Sequence, residues 1–269
     1  MITDAPVVLV TQNGPVRTLT MNRPHRRNAL DNTLVDALEI ALTGAENDEE
    51  TRCVLLAGSG RSFCAGADLQ YFLALQDELG SPISFLRRVS AMITRFETSP
   101  LPIVAAVHGH AVAGGLELAL GCDVVVAAED ALIGDGHIRN NLVPAGGSSV
   151  RLPRKVGDAM ARWLSLTGEL VTPDRLAQAG WIHTIANPTD LATAALTVAE
   201  QLAVVSGPAQ SRLKTLLFEL TTMNATDGLE AELTAFDGHW ESNDVPSSLR
   251  AFLNDKATSA STLENKGRT

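Results

Sequence analysis

The sequence predicts an α/β protein whose C-terminal third is helical. Short apolar runs such as "CVLLAGSG", "IVAAVHG" and "CDVVVAAED" have the length and composition of buried strands. A glycine-opened helical segment, "GGLELALG", lies between the second and the third of them. This alternation of strand, helix and strand predicts a core of βαβ units with right-handed crossovers.

The elements that precede this alternation can be assigned in order. "VVLVTQNGPVRTLTMN" indicates two strands around the turn "NGP". "NRPHRRNAL" is expected to be a loop, because Pro24 disfavours both a helix and a central strand. Asp31 is then expected to cap an amphipathic helix. The apolar positions of that helix are Leu34, Leu38, Ile40 and Leu42.

The remaining elements are mostly helical. The segment from Tyr71 to Thr98 is compatible with a helix that is broken by "LGSP". After Pro153 the pattern predicts helices over 155–166, 173–180, 189–205, 209–223 and 228–254, the last with a break at Pro246. We therefore expect a core over 1–188, a helical lid or oligomer contact over 189–255, and a frayed tail over 256–269.

Composition excludes several classes of partner. A net charge of −10 disfavours binding to nucleic acid or to an anionic membrane. The longest apolar runs fall far short of the roughly 20 residues that span a bilayer, and the N-terminus lacks a signal-peptide pattern. The three scattered cysteines are expected to be buried thiols in a reducing compartment. These features predict a cytoplasmic protein.

Two glycine-containing loops are candidates for binding an oxygen atom. In "SFCAGADL" the glycine lets the backbone approach a ligand, towards which the N–H of Ala67 can point. In "HGHAVAGGLELAL" a strand leads to Gly114 at a helix start, where unpaired N–H groups favour an oxyanion. Glu117 lies in the first turn of this helix. Because the helix is apolar on nearly every side, a buried carboxylate there indicates a catalytic acid or base.

A third candidate is the stretch "IGDGHIRNNLVPAGG", in which Asp135 and His137 flank a glycine. His137 could transfer protons with Asp135 orienting its ring, although a solvated loop histidine is the plainer alternative. Other chemistries lack their patterns: there is no G-x-G-x-x-G after a strand, no P-loop, no G-x-S-x-G and no cysteine–histidine array for a metal. No cofactor is expected.

Four motifs, in this order, resemble those of the crotonase superfamily, the enoyl-CoA hydratase/isomerase family. They are "NRPHRRNAL", "SFCAGADL", "AAVHGHAVAGGLELALGCDVVVA" and "LVPAGGSSVRLPRKVG", within a resemblance that runs from about Val7 to Trp240. The resemblance implies a crotonase-like spiral of ββα units and a helical C-terminal region that assembles a homotrimer or homohexamer. It also implies an acyl-CoA substrate, so that coenzyme A enters as part of the substrate.

The resemblance also implies roles for individual residues. The N–H groups of Ala67 and Gly114 correspond to the family's oxyanion hole, which holds the thioester oxygen as an enolate forms. Arg26 is implied as a contact of the CoA phosphates. The residues implied along the adenine and pantetheine path are Ala65, Asp68 and Leu69. Phe72, Leu75, Leu79 and Phe85 suggest an apolar acyl pocket, although apolar residues at helical spacing lie more often in a protein core.

Hydratases of the family use two glutamates, and the second of them is replaced here. Glu117 matches the first, whereas His137 stands at the second, and Asn141 and Ala145 stand where glycines are usual. Since histidine titrates near neutral pH, Glu117 and His137 can form an acid/base pair that adds water to a 2-enoyl-CoA. Two alternatives stay open: a hydrolase or decarboxylase that breaks a C–C bond of an unusual acyl-CoA, and a non-catalytic acyl-CoA-binding protein.

Overall fold

The computed structural model describes residues 5–254, so the predicted tail over 256–269 lies outside the described residues. The strands are β1 (Val8–Asn13), β2 (Val16–Met21), β3 (Cys53–Gly58), β4 (Ile103–Val107), β5 (His110–Val112), β6 (Val124–Ala128), β7 (Leu132–Gly134) and β8 (Ile182–Ala186). One sheet has the order β1-β2-β3-β4-β6-β8, and β5 and β7 form a second. β1 and β2 are antiparallel, and the other neighbouring pairs are parallel.

The helices alternate with these strands in the first two thirds of the chain and follow them in the last third. They are α1 (Asn32–Glu46), α2 (Leu69–Leu79), α3 (Ile83–Thr98), α4 (Gly114–Leu120), α5 (Ser148–Val156), α6 (Asp158–Thr167), α7 (Pro173–Gln178), α8 (Leu191–Ala203), α9 (Gly207–Glu219) and α10 (Ala225–Ser242). Short 3-10 helices cover Pro24–Arg26, His137–Asn140 and Leu220–Thr222.

Successive turns of the chain contribute a strand to each sheet and then a helix. β4, β5 and α4 follow this order, and β6, β7 and α5 repeat it. After β3, Cys64 makes a parallel bridge to Ala111 of β5, so this turn also reaches the second sheet. The arrangement is a spiral of ββα units, which confirms the predicted α/β class.

The central strands β3, β4 and β6 of the large sheet are buried on both faces, because alternate residues of these strands enter different cores. Val54 and Leu56 of β3 belong to the larger core, together with the buried faces of α1 and α3. Cys53 and Leu55 point the other way and pack with Leu191 and other apolar residues of α8. Burial on both faces explains why these strands are continuous apolar runs in the sequence. All three cysteines are buried, as expected.

Three sequence predictions differ from the structure. The predicted helix 155–166 is two helices, because Gly157, at φ +80°, ends α5 and precedes α6. No strand was expected after Pro153, yet β8 adds to the edge of the sheet beside β6, where its exposed residues give little apolar signal. Ile40 is 72% exposed because it lies off the buried face of α1.

The chain divides into two compact units at Gly207 and Pro208. α8 therefore belongs to the first unit, since it packs on the sheet, whereas the sequence placed the boundary at 188. In the second unit α10 is followed by a break and by helical residues 245–254, as predicted at Pro246. Within residues 5–254 no single helix is long and apolar enough to cross a membrane. By length and composition alone, α8 and segment 207–222 taken together, with a bend of 102° between them, are long and apolar enough.

Candidate active site

A cavity of about 660 Å³ lies beside the two glycine-containing loops of the first unit. Ala67, Gly114, Glu117 and His137 all line it, so that three distant stretches of sequence meet there. Its volume is that of a small-molecule site. Its apolar walls include Leu30, Phe72, Ile83, Leu86, Val89 and Val112.

The N–H groups of Ala67 and Gly114 lie in loops that are in close contact. A Cβ atom built on Gly114 would be 3.5 Å from the Ala67 nitrogen and 3.1 Å from Leu30 Cδ1. Neither N–H donates a hydrogen bond to any residue between 5 and 254, whereas the next N–H, that of Asp68, donates to the Leu30 carbonyl at 2.8 Å. Two unpaired donors at a cavity wall can bind a developing oxyanion.

Glu117 is held through one of its two carboxylate oxygens. Its side chain is buried on α4, and Oε1 accepts the N–H groups of Gly146 (2.9 Å) and Ser148 (3.0 Å). Oε2 accepts no hydrogen bond from the part of the chain that the structure describes. Burial raises the pKa of Glu117 above its usual value, although the two N–H groups and the charge of His137 oppose the rise. The carboxylate is thus fixed, with one oxygen available for a proton.

His137 begins the 3-10 helix and is oriented by Asp135. Its Nδ1 lies 2.9 Å from Asp135 Oδ1, and its backbone N–H donates to the same oxygen at 3.3 Å. Burial alone would lower the pKa of His137, but the Asp135 hydrogen bond and the charges of Glu117 and Asp135 outweigh it, so the pKa is raised. Because Nδ1 contacts Asp135, Nε2 is the ring nitrogen that remains for a ligand.

Asp135 is itself buried and joined to a second group. Its Oδ2 accepts the hydroxyl of Ser148, which is fully buried. Burial would raise the pKa of Asp135, but the hydrogen bonds from His137 and Ser148 outweigh that effect and lower it. Asp135 is therefore a carboxylate held between two donors.

Sequence reasoning missed three residues of this site. A Cβ atom on Gly146 would lie 2.3 Å from Glu117 Oε2, so the carboxylate packs directly against this glycine. Ser148 contacts Glu117 through its N–H and Asp135 through its hydroxyl. Arg151 supports the loop by donating to the Gly146 carbonyl at 2.7 Å. The run "PAGG" signalled only a helix start, because these contacts join residues far apart in sequence.

Arg26 and Asp68 line the cavity, and both already have protein partners. Arg26 Nη1 donates to Gln70 Oε1 at 2.6 Å. The Asp68 carboxylate caps α2 and lies 3.3 Å from Arg23 Nη2. Asp68 thus has a structural role that does not require a ligand.

The other implied residues are distributed along the same walls. Ala65, Leu69 and Asn141 line the cavity. Asn141 lies at φ +56°, in the left-handed region that asparagine tolerates better than most residues, so the replacement of the usual glycine keeps this turn. Of the four residues expected in the acyl wall, Phe72 lines the cavity, Leu75 and Phe85 are buried in the core, and Leu79 is exposed.

Comparison with known proteins identifies the family of this chain. The family model for enoyl-CoA hydratase/isomerase matches residues 11–259. A putative enoyl-CoA hydratase of Thermus thermophilus is 39% identical over 247 residues, covering 90% of this chain and 96% of that protein. The 2,3-dehydroadipyl-CoA hydratase of Escherichia coli is 33% identical over 262 residues, covering 97% and 99%.

Solved structures of enoyl-CoA hydratases have the same fold as this chain. The crystal structure of an enoyl-CoA hydratase from Polaromonas sp. JS666 superposes with a TM-score of 0.87 at 32% identity, covering 92% of this chain and 97% of that one. The fold and the matched sequence define a protein of the crotonase superfamily. The chain belongs to its enoyl-CoA hydratase/isomerase family, as the four motifs predicted.

Proposed function

We propose that this protein adds water to a 2-enoyl-CoA thioester. The observation that carries the proposal is the meeting of complementary groups at one cavity. Two unpaired N–H groups, a buried carboxylate with an available oxygen, and a histidine held by Asp135 all line it. These are the groups that an addition through an enolate requires.

The chemistry assigns one role to each group. The N–H groups of Ala67 and Gly114 bind the thioester oxygen and stabilise its negative charge. Each donor of this kind lowers the activation barrier by about 3–4 kcal/mol. Glu117 Oε2 takes a proton from water, whose oxygen bonds to Cβ as the double-bond electrons move towards the thioester. The enolate then takes a proton at Cα from His137 Nε2. Glu117 releases its proton and His137 regains one through solvent, so that water is added overall.

The lining of the cavity supports an uncharged acyl group. Among the lining residues in the described chain, only Arg26 and His137 can carry a positive charge. Since His137 is paired with Asp135, Arg26 is the cation available to a ligand, and we assign it to the CoA phosphates. The rest of the wall is largely apolar and suits a hydrocarbon chain.

A second candidate, hydrolysis of a C–C bond in an acyl-CoA, is favoured by one observation. The Asp135–His137 pair has the geometry of a base held by an orienting carboxylate, an arrangement that activates a nucleophile such as water. His137 would take a proton from water as its oxygen attacks a carbonyl carbon, the bond from that carbon to Cα would break, and the Cα fragment would leave as an enolate held by the same N–H groups. His137 would then return the proton to Cα. The two reactions differ in their products.

The test is turnover of crotonyl-CoA by the wild-type protein, followed by loss of the conjugated thioester absorbance and by the mass of the product. Hydration predicts loss of absorbance with gain of one water and no fragment. If crotonyl-CoA binds but its absorbance does not change, simple hydration is wrong. A β-diketone CoA thioester assayed in parallel would reveal cleavage as two smaller products.

We further propose that the protein self-associates through α10, in line with the trimer or hexamer implied by its family. Leu229, Leu233, Phe236 and Trp240 are all between 41% and 66% exposed and share one face of this helix. The rings of Phe236 and Trp240 stack at 5.8 Å. An exposed apolar stripe of this kind is typical of a protein–protein interface.

A further inference from the structure

We propose that Ser148 is a positioning residue that holds both members of the acid/base pair. Its N–H fixes Glu117, and its hydroxyl fixes Asp135, which in turn orients His137. The inference rests on the proposed function for the roles of Glu117 and His137. The contacts themselves are properties of the free protein.

The position of Ser148 in its helix makes both contacts compatible with the fold. Ser148 is the first residue of α5 and is fully buried. The N–H groups in the first turn of a helix have no partner within the helix, so donation to Glu117 Oε1 breaks no helical hydrogen bond. One residue therefore connects α4 to the segment that carries Asp135.

The two oxygens of Asp135 have different donors, which fixes the plane of the carboxylate. Oδ1 faces the Nδ1 of His137 at 2.9 Å, and Oδ2 accepts the Ser148 hydroxyl. Without the hydroxyl, Oδ2 would be a buried acceptor with no partner, which destabilises the ionised carboxylate. The charged form of the Asp135–His137 pair would then be less stable relative to its neutral form. His137 would therefore lose its proton at a lower pH.

The charged groups around the His137 ring are few. Asp135 lies on the same segment, and Glu117 approaches from α4. Helix α6, which packs against the 3-10 helix, carries Asp158 and Arg162, and these two pair with each other at 2.7 Å on the surface. Ser148 is thus linked to both carboxylates that stabilise the charged form of His137.

The test compares Ser148→Ala with Ser149→Ala, its exposed neighbour on the same helix. Ser148→Ala removes the hydroxyl and keeps the N–H that Glu117 needs. We expect kcat for crotonyl-CoA to fall about 30-fold with KM changed less than about twofold, since a charge-assisted hydrogen bond is lost. The alkaline limit of kcat should move to lower pH. Ser149→Ala should match the wild type in each measurement.

NMR titration of the 13C-labelled histidine rings in the free protein separates positioning from general destabilisation. We expect the pKa of His137 to be lower in Ser148→Ala than in the wild type. In an Asp135→Asn background, the further loss of kcat caused by Ser148→Ala should shrink to less than about threefold, because Ser148 acts on His137 through Asp135. An unchanged His137 pKa, or an equal loss in both backgrounds, would overturn the proposal.

The same measurements separate this inference from the proposed function. If the wild type does not hydrate crotonyl-CoA but Ser148→Ala still lowers the pKa of His137, hydration is wrong and the positioning role holds. If hydration occurs and the pKa does not move, the positioning role fails alone.

Discussion

Ala113 has a backbone conformation that normally favours glycine, and it immediately precedes the Gly114 N–H. Its φ is +52° and its ψ is −116°, and its own N–H donates to the Gly134 carbonyl at 3.1 Å. Non-glycine residues in sparsely populated regions cost about 1–3 kcal/mol and persist where the surroundings fix them. Here the contact with β7 fixes the residue that immediately precedes Gly114 in the cavity wall.

The acid/base pair predicts a bell-shaped dependence of kcat/KM on pH. Activity requires ionised Glu117 and protonated His137. The pKa of each group is raised, so activity should appear above the usual pKa of a glutamate and persist above that of a histidine. A raised pKa keeps each group protonated to a higher pH, so both the acidic and the alkaline limb of the profile move upward in pH.

His137→Gln tests this assignment, because glutamine does not titrate. The residual activity of the variant should lack the alkaline limb, while the acidic limb remains. The control is His108→Gln, since His108 is not among the residues that line the cavity. An alkaline limb with the same midpoint in His137→Gln would assign it to another group.

Individual residues differed in how far the sequence revealed them. Glu117 was predictable because a carboxylate in an apolar helix is unusual, and the two N–H groups because glycine loops mark them. Ser148 and Arg151 were not predictable, since their roles depend on which chain segments the spiral brings to the start of α5. The sequence placed Asp135 near His137, but it could not show that Asp135 also contacts Ser148.

At the scale of elements, one arginine joins the starts of two helices near the cavity. Arg23 Nη2 lies 2.7 Å from Asp31, which caps α1, and 3.3 Å from Asp68, which caps α2. The loop "NRPHRRNAL" is held by Asn28, whose side-chain amide donates to the Ser62 carbonyl at 2.8 Å. These contacts fix the loop that carries Ala67 relative to the starts of α1 and α2.

The packing of the loop before α5 on α4 gives a direct prediction. Gly146→Ala would place a methyl group 2.3 Å from Glu117 Oε2, so the carboxylate or the loop must shift. We expect kcat to fall at least about 100-fold, the range of a lost general base, and the free energy of unfolding to fall by about 1–3 kcal/mol through overpacking. Steady-state kinetics and chemical denaturation measure the two effects.

The matched control is Gly238→Ala in α10, where a Cβ atom meets nothing within 4 Å. It should leave kcat unchanged and raise stability by up to about 1 kcal/mol, since alanine favours a helix over glycine. Activity of Gly146→Ala within about twofold of the wild type would contradict the described packing of Glu117.

Elements were predicted well where periodicity was long and poorly where strands were short. The helices α2, α3, α8 and α9 lie within a few residues of their predicted positions. β5 and β7 have only three residues each, too few to show an alternation. β8 was missed because a short edge strand with only one fully buried residue resembles a loop in sequence.

At the scale of the whole molecule, the exposed stripe on α10 predicts an assembly larger than a monomer. Phe236→Glu places a charge in the centre of this stripe, where burial against another copy would be costly. Sedimentation velocity should show the wild type as an oligomer and Phe236→Glu as a smaller species. Thr234→Glu, on another face of the helix, should match the wild type. An unchanged oligomer in Phe236→Glu would exclude the stripe from the interface.

The central claim is that Glu117 and His137 together hydrate an enoyl thioester, and the most direct measurement is the rate of crotonyl-CoA hydration by three proteins. Wild type, Glu117→Gln and His137→Ala are compared at equal concentration. Glu117→Gln keeps an oxygen for the Gly146 and Ser148 N–H groups, so its loss reports chemistry rather than folding. We predict rapid hydration by the wild type and losses of about 100- to 10,000-fold in each variant. Hydration by either variant within about threefold of the wild type would contradict the claim.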